Sequence, residues 1–230
     1  PRQYAGRDNC EGRISMAARI ITVAQQKGGA GKTTLAAHLA IAWQMAGETV
    51  AVVDIDPQGS LGQWFGLRDR SVGEAGPALT VASITGWRAG NEIERLARDH
   101  SLIVIDSPPH AETEAKMAIR LAGLVVTPVQ PSPLDLWATR PTVDIARAER
   151  VPIMLVLNRV PSRNPLKEEV ERILADLGAP VARARLGNRS ALSASMIDGR
   201  SVMEAAPESL AAREVARLAR ELRAAVVVKR

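Results

Sequence analysis

The stretch Lys27-Gly28-Gly29-Ala30-Gly31-Lys32-Thr33-Thr34, directly behind the apolar run Ile20-Ile21-Thr22-Val23-Ala24, limits the fold of this chain more than any other part of it. An apolar, β-branched run that enters a glycine-rich turn and then a helical pattern reads as strand, loop and helix. Gly28, Gly29 and Gly31 can take backbone angles closed to other residues, so successive N–H groups, those of Ala30 and Thr34 among them, can surround one anion. A helix starting near Lys32 adds its positive N-terminal end. Such a loop holds nucleotide phosphates, with Lys32 reaching the β- and γ-phosphates and the Thr33 hydroxyl sitting on Mg²⁺. The usual G-x-x-x-x-G-K-[ST] spacing is not met. Gln26 stands at the first glycine position, and a second lysine, Lys27, precedes the paired glycines.

Beyond the loop, β-branched runs alternate with helical stretches, the pattern of a parallel sheet covered on both faces. Strands are expected at 19–24, 49–54, 79–82, 101–106, 123–129, 151–158 and 180–184. Helices are expected at 32–46, 89–99, 112–121, 135–149, 165–177, 189–197 and 208–225. Gly47, Gly123 and Gly178 stand where helices should stop, as C-terminal glycine caps. The expected fold is α/β, a doubly wound, mostly parallel sheet with nucleotide at the carboxyl ends of its strands. Residues 1–15 show no periodicity and read as a flexible leader or cloning remnant, and 16–230 as a single domain.

The other strand ends carry carboxylates. Val52-Val53-Asp54-Ile55-Asp56-Pro57-Gln58-Gly59 places Asp54 and Asp56 on the same side of a strand end, by the period of two. One of them can bind Mg²⁺ through water while the other orients an attacking water. Leu102-Ile103-Val104-Ile105 ends at Asp106, the Walker B arrangement, in which the carboxylate holds the metal's water shell. Asn158 ends the run Ile153–Leu157, where its amide either bonds a nucleobase edge or caps a turn.

Charge is unevenly placed. Residues 183–230 hold 10 of the 30 Lys and Arg but only 5 of the 25 Asp and Glu, so the net +5 arises there. In 208–225, Ala211, Val215, Leu218, Leu222 and Ala225 share one helix face, while Arg213, Arg217 and Arg220 gather opposite, with Arg223 at the edge. The excess fits a polyanion, nucleic acid or an acidic membrane. Arginines so spaced either meet a phosphate backbone without reading bases or form a solvated face, and Arg189 and Arg200 extend the set of candidate DNA contacts. Cys10 is the lone cysteine, which excludes an intramolecular disulfide or a cysteine-built metal site. No apolar run approaches the roughly 20 residues of a spanning helix, and the expected compartment is the cytoplasm.

K-G-G-x-G-K-T-T resembles the deviant Walker A motif of the ParA/MinD branch of P-loop NTPases, and D-x-D-P-Q-G resembles that branch's switch segment. The resemblance implies that Lys27 crosses a dimer interface to the partner's nucleotide. It implies further that Asp56 positions the hydrolytic water, with Asp54 its neighbour on the Mg²⁺ side. Pro128–Leu136 and Ser193–Glu204 look like short ParF-type partition ATPases, and the likeness runs from about Ala17 to the carboxyl end. Expected from it are ATP as substrate, Mg²⁺ as cofactor, catalytic roles for Lys27, Lys32 and Asp56, and an ATP-dependent homodimer on non-specific duplex DNA of the nucleoid. A centromere-binding or cargo adaptor would stimulate hydrolysis, and the cargo stays open. Nitrogenase-type iron proteins are excluded by the missing cysteines, and tyrosine kinases of this branch by Tyr4 being the sole tyrosine. The alternatives are a MinD-like membrane-associated positioning ATPase, for which the tail Val226–Arg230 is short, and a metabolic ATP-dependent ligase or kinase on the same fold, as dethiobiotin synthesis uses.

Overall fold

The computed structural model describes residues 18–73, 79–84, 88–109, 112–163 and 166–228. The expected leader 1–15, with Tyr4 and Cys10, and the tail residues Lys229 and Arg230 lie outside the described residues.

Six strands form one sheet: β1 (Arg19–Val23), β2 (Val50–Asp54), β3 (Thr80–Ser83), β4 (Leu102–Asp106), β5 (Leu124–Val129) and β6 (Ile153–Leu157). All are parallel, in the order β3-β2-β4-β1-β5-β6, so the strand that feeds the glycine loop is flanked on both sides. Parallel neighbours need crossovers, and the helices supply them: α1 (Lys32–Met45), α2 (Ser60–Ser71), α3 (Ala89–Leu96), α4 (Glu112–Leu121), α5 (Pro133–Trp137), α6 (Arg140–Ala148), α7 (Lys167–Leu177), α8 (Ser190–Ile197), α9 (Val202–Ala205) and α10 (Leu210–Ala225). Alternation along β4 shows how the two faces are filled. Leu102 and Val104 pack with α1, α2 and α8–α10, whereas Ile103 and Ile105 pack with α3 and α4. A further apolar cluster joins β5 and β6 to α6 and α7.

The expected doubly wound sheet is present, with four local differences. The expected helix 135–149 is two helices, α5 and α6. Pro141 lies in the first turn of α6, where the chain restarts because a proline ring cannot continue the preceding turn. The expected strand 180–184 is reduced to a bridge between Val181 and Leu155. Glu221 of α10 takes the N–H groups of Arg183 and Ala184 at 2.8 and 2.9 Å, which removes the donors a ladder needs. Helices α2 and α9 were not expected. Gly47 and Gly178 have positive φ (90° and 61°) as caps should, but Gly123 is absent from that set. Gly123 is required for close approach instead, since a Cβ there would lie 2.1 Å from the Val227 carbonyl oxygen.

Register places the chemistry. Val23, Asp106 and Asp54 are level across β1, β4 and β2, at the carboxyl edge where the glycine loop leaves the sheet.

Candidate active site

The loop between Val23 and Lys32 turns on two left-handed glycines, Gly29 (φ 75°) and Gly31 (φ 91°), while Gly28 needs no such angle. Neighbouring side chains brace the loop. Asn158 Nδ2 donates to the Ala30 carbonyl at 2.9 Å, and its Oδ1 accepts from Arg159 N–H at 2.9 Å. A Cβ on Gly31 would lie 2.8 Å from that same amide nitrogen. Asn158 is buried, and its bond to Ala30 braces the loop from the end of β6. Gln130 Nε2 reaches the Gly29 carbonyl at 3.4 Å. Gln25, also buried, donates to Thr139 Oγ1 at 2.9 Å, which ties the loop's entry to the break between α5 and α6.

The two lysines face different surroundings. Lys32 is buried at the start of α1, and desolvation lowers its pKa against the opposing pull of Asp106 and Asp56. An ammonium held in that setting gains from the approach of an anion, which offsets its desolvation. Lys27 is half-exposed and turns to α5, where its Nζ lies 2.7 Å from Asp135 Oδ1. The other oxygen of Asp135 meets the Ser132 hydroxyl at 2.5 Å. Neither Asp135 nor Gln130 was singled out from the sequence, although both lie in the proline-rich run that was.

Thr33 Oγ1 donates to Asp106 Oδ2 at 2.6 Å. Asp106 is 1 % exposed, and desolvation pushes its pKa up to about 7 despite the Thr33 bond. Its other oxygen, Oδ1, is buried with no hydrogen-bond partner. An orphaned carboxylate oxygen beside a threonine hydroxyl fits Mg²⁺, a hard cation that takes a few protein oxygens and keeps several waters. Asp54, level with Asp106, receives backbone donors. Its Oδ1 accepts from Asp56 N–H at 3.1 Å, and its Oδ2 from Leu61 and Gly62 N–H at 3.1 and 3.0 Å. Three backbone donors meet the carboxylate, and two of them anchor the start of α2. Asp56 is partly exposed and accepts from Gln58 N–H at 3.0 Å, in a tight turn. Thr34 is half-buried in the first turn of α1.

The basic residues lie elsewhere. On α10, Ala211, Val215, Leu218 and Leu222 are buried and Arg213, Arg217 and Arg220 are exposed, as the periodicity requires. Arg200 is exposed after α8. Arg189 is paired with Glu214 at 2.8 Å, and Glu214 also accepts from Gly187 N–H, so the pair supports that loop. Arg223 is paired with Glu48. Among the described residues, no helix is long and apolar enough to cross a membrane.

Comparison with known proteins agrees with this geometry. The family model described as the CobQ/CobB/MinD/ParA nucleotide binding domain matches residues 21–202. Maintenance of carboxysome distribution protein A of Gloeobacter kilaueensis is 34% identical over 194 residues, covering 81% of this chain and 84% of that protein. Chromosome-partitioning ATPase Soj of Thermus thermophilus is 29% identical over 240 residues, covering 90% and 96%. The crystal structure of the cell division ATPase MinD of Pyrococcus furiosus superposes with a TM-score of 0.74 at 24% identity, covering 91% of this chain and 99% of that one, and shares the fold. With a buried lysine and a Thr33–Asp106 pair at the head of α1, and a second lysine turned away from its own loop, the chain belongs to the CobQ/CobB/MinD/ParA nucleotide-binding family, in its ParA/MinD ATPase branch.

Proposed function

We propose that this chain is an ATP-gated switch that dimerises around nucleotide, binds duplex DNA without sequence preference in that state, and is reset by partner-stimulated hydrolysis. The division of labour between the two lysines carries this reading. Lys32 lies inside its own loop, so Lys27 is not needed there, and it stands instead half-exposed beside the loop's mouth. From that position it would reach a second copy's nucleotide by exchanging its ion pair with Asp135. Lys32 would neutralise the β- and γ-phosphates, and the loop amides would hold their oxygens. Asp56 would orient the attacking water. Thr33 and Asp106 would hold Mg²⁺, which when bound spreads the charge that develops on the transferring phosphoryl group. Names among the relatives, a carboxysome-distribution protein and a chromosome-partitioning ATPase, support positioning of a large cargo as the purpose of the cycle.

The DNA arm rests on Arg213, Arg217 and Arg220, exposed along one side of α10, with Arg200 nearby in sequence. Dimerisation would double that basic surface on one particle, so affinity should rise with ATP. The test is duplex retention with ATP and with ADP across salt concentrations. Retention should be ATP-dependent, with a log–log slope of about −0.9 per phosphate neutralised. The triple change of these arginines to Glu should abolish it while nucleotide binding persists. Retention of anionic vesicles in place of DNA would overturn the assignment in favour of a membrane switch.

A further inference from the structure

Two buried ionisable side chains have no part in the phosphate site: His38, 1 % exposed, and Arg68, 3 %. Both spend their polar atoms on one stretch, residues 192–204, to which the switch reading gives no task beyond Arg200. His38 stands on α1, the helix that starts with Lys32 and Thr33. Val202 N–H donates to its Nδ1 at 3.2 Å, the Ser201 hydroxyl lies 3.1 Å from Nδ1, and Nε2 lies 3.1 Å from the Leu192 carbonyl oxygen. A ring that accepts at Nδ1 is neutral and carries its proton on Nε2, which therefore donates to Leu192. One imidazole thus joins α8 and α9 to the phosphate-loop helix.

Arg68 makes the matching attachment from α2, the helix that follows Asp56 and whose first amides Asp54 holds. Its guanidinium forks onto both oxygens of Glu204 at 2.7 Å and reaches the Gly199 carbonyl at 3.4 Å. Ser71 Oγ donates to the Asp198 carbonyl at 2.5 Å. Gly199, at φ +66°, lies so close that a Cβ on it would be 2.2 Å from Arg68 N. The bend between α8 and α9 is therefore fastened to two helices whose opposite ends bracket the phosphate site.

A helix transmits displacement along its axis, and a packed contact of this kind rearranges between discrete states instead of stretching. We infer that the 192–204 bend senses nucleotide state, with His38 and Arg68 as its positioning residues: a shift of α2 relative to α1 at the γ-phosphate resets the bend, and with it the exposed Arg200 and the start of α10. Its link to DNA rests on the switch reading proposed above; its link to nucleotide does not.

Hydrogen–deuterium exchange on the intact protein, with Mg-ADP and with a non-hydrolysable ATP analogue, tests the nucleotide link directly. Amides of 192–204 should differ in exchange rate by about tenfold or more between the two states. Unchanged exchange there, while the amides of 28–34 and 56–62 do change, overturns the inference, and this arm needs no variant to fold. The second arm is the double variant Arg68→Met/Glu204→Gln, which removes both charges of the pair and leaves an acceptor for Ser201 N–H. It should bind nucleotide within about threefold of wild type but lose the nucleotide-dependent exchange in 192–204, and its ATP-over-ADP ratio of DNA affinity should fall about tenfold. A folded double variant that keeps both overturns the inference. A wild type with the exchange difference but no ATP-dependent DNA binding supports the sensing bend and refutes the DNA assignment.

Discussion

Acid should weaken this fold through His38 before it protonates most carboxylates. The ring's Nδ1 accepts from a backbone N–H, so a proton there would set two donors against each other inside the core. Burial lowers the His38 pKa from 6.5 to about 4. At 1.36 kcal/mol per pKa unit, that gap amounts to about 3 kcal/mol. The sign follows from linkage: the folded state holds its proton less tightly than the unfolded chain, so stability is complete above about pH 6.5 and is lost as pH falls toward 4. Integrating over that window, about 2 kcal/mol should be gone by pH 5. The measurement is urea unfolding of wild type and His38→Gln between pH 7.5 and pH 5. Other titrating groups are common to both proteins and cancel in the difference. The variant should be less stable at pH 7.5 yet lose about 2 kcal/mol less over the interval. Parallel pH profiles would mean that the ring is not held neutral by its surroundings, and would refute the reasoning.

Three further outcomes are expected. Asp56→Ala should bind ATP but accumulate as a dimer on size exclusion, because water is no longer oriented; hydrolysis at the wild-type rate would remove the role given to Asp56. Lys27→Ala should keep monomeric nucleotide affinity and lose the ATP-dependent dimer in light scattering, and normal dimerisation would leave Lys27 without its assigned task. Asn158→Ala removes the hydrogen bond to the Ala30 carbonyl, worth about 1 kcal/mol, so nucleotide affinity should fall about fivefold; an unchanged affinity in titration with a fluorescent ATP analogue would show that the loop holds its shape unaided.

The core of the site was legible because its parts are local: an apolar strand, a glycine turn and a lysine-threonine pair follow one another without a gap. Asp106 was legible for the same reason, as the end of an apolar strand. What was missed depends on contacts distant in sequence. Helix α2 contains Gly62 and Gly66 and has no side-chain cap on its first turn; its donors are met by Asp54, upstream of the helix and across the switch turn. Asp135 as the partner of Lys27 could not be read from spacing, because the pair joins β1's exit to α5. The failed strand at 180–184 turns on Glu221, whose reach to Arg183 and Ala184 nothing in either segment announces. By contrast, the burial of α10 followed directly from its period.

The indole of Trp43 donates to the Ala219 carbonyl at 2.8 Å, and α10 closes the apolar layer over α1. Trp43 therefore leaves the ribosome long before the residue that completes its surroundings. At roughly 5–20 residues per second, the interval comes to about ten to thirty seconds. Throughout it, the apolar side of α1 opposite the sheet has no permanent cover, and the helix that carries Lys32 and Thr33 lacks its backing. Nascent chains of this protein should accordingly be chaperone clients, and should acquire nucleotide affinity only once α10 has been released from the exit tunnel.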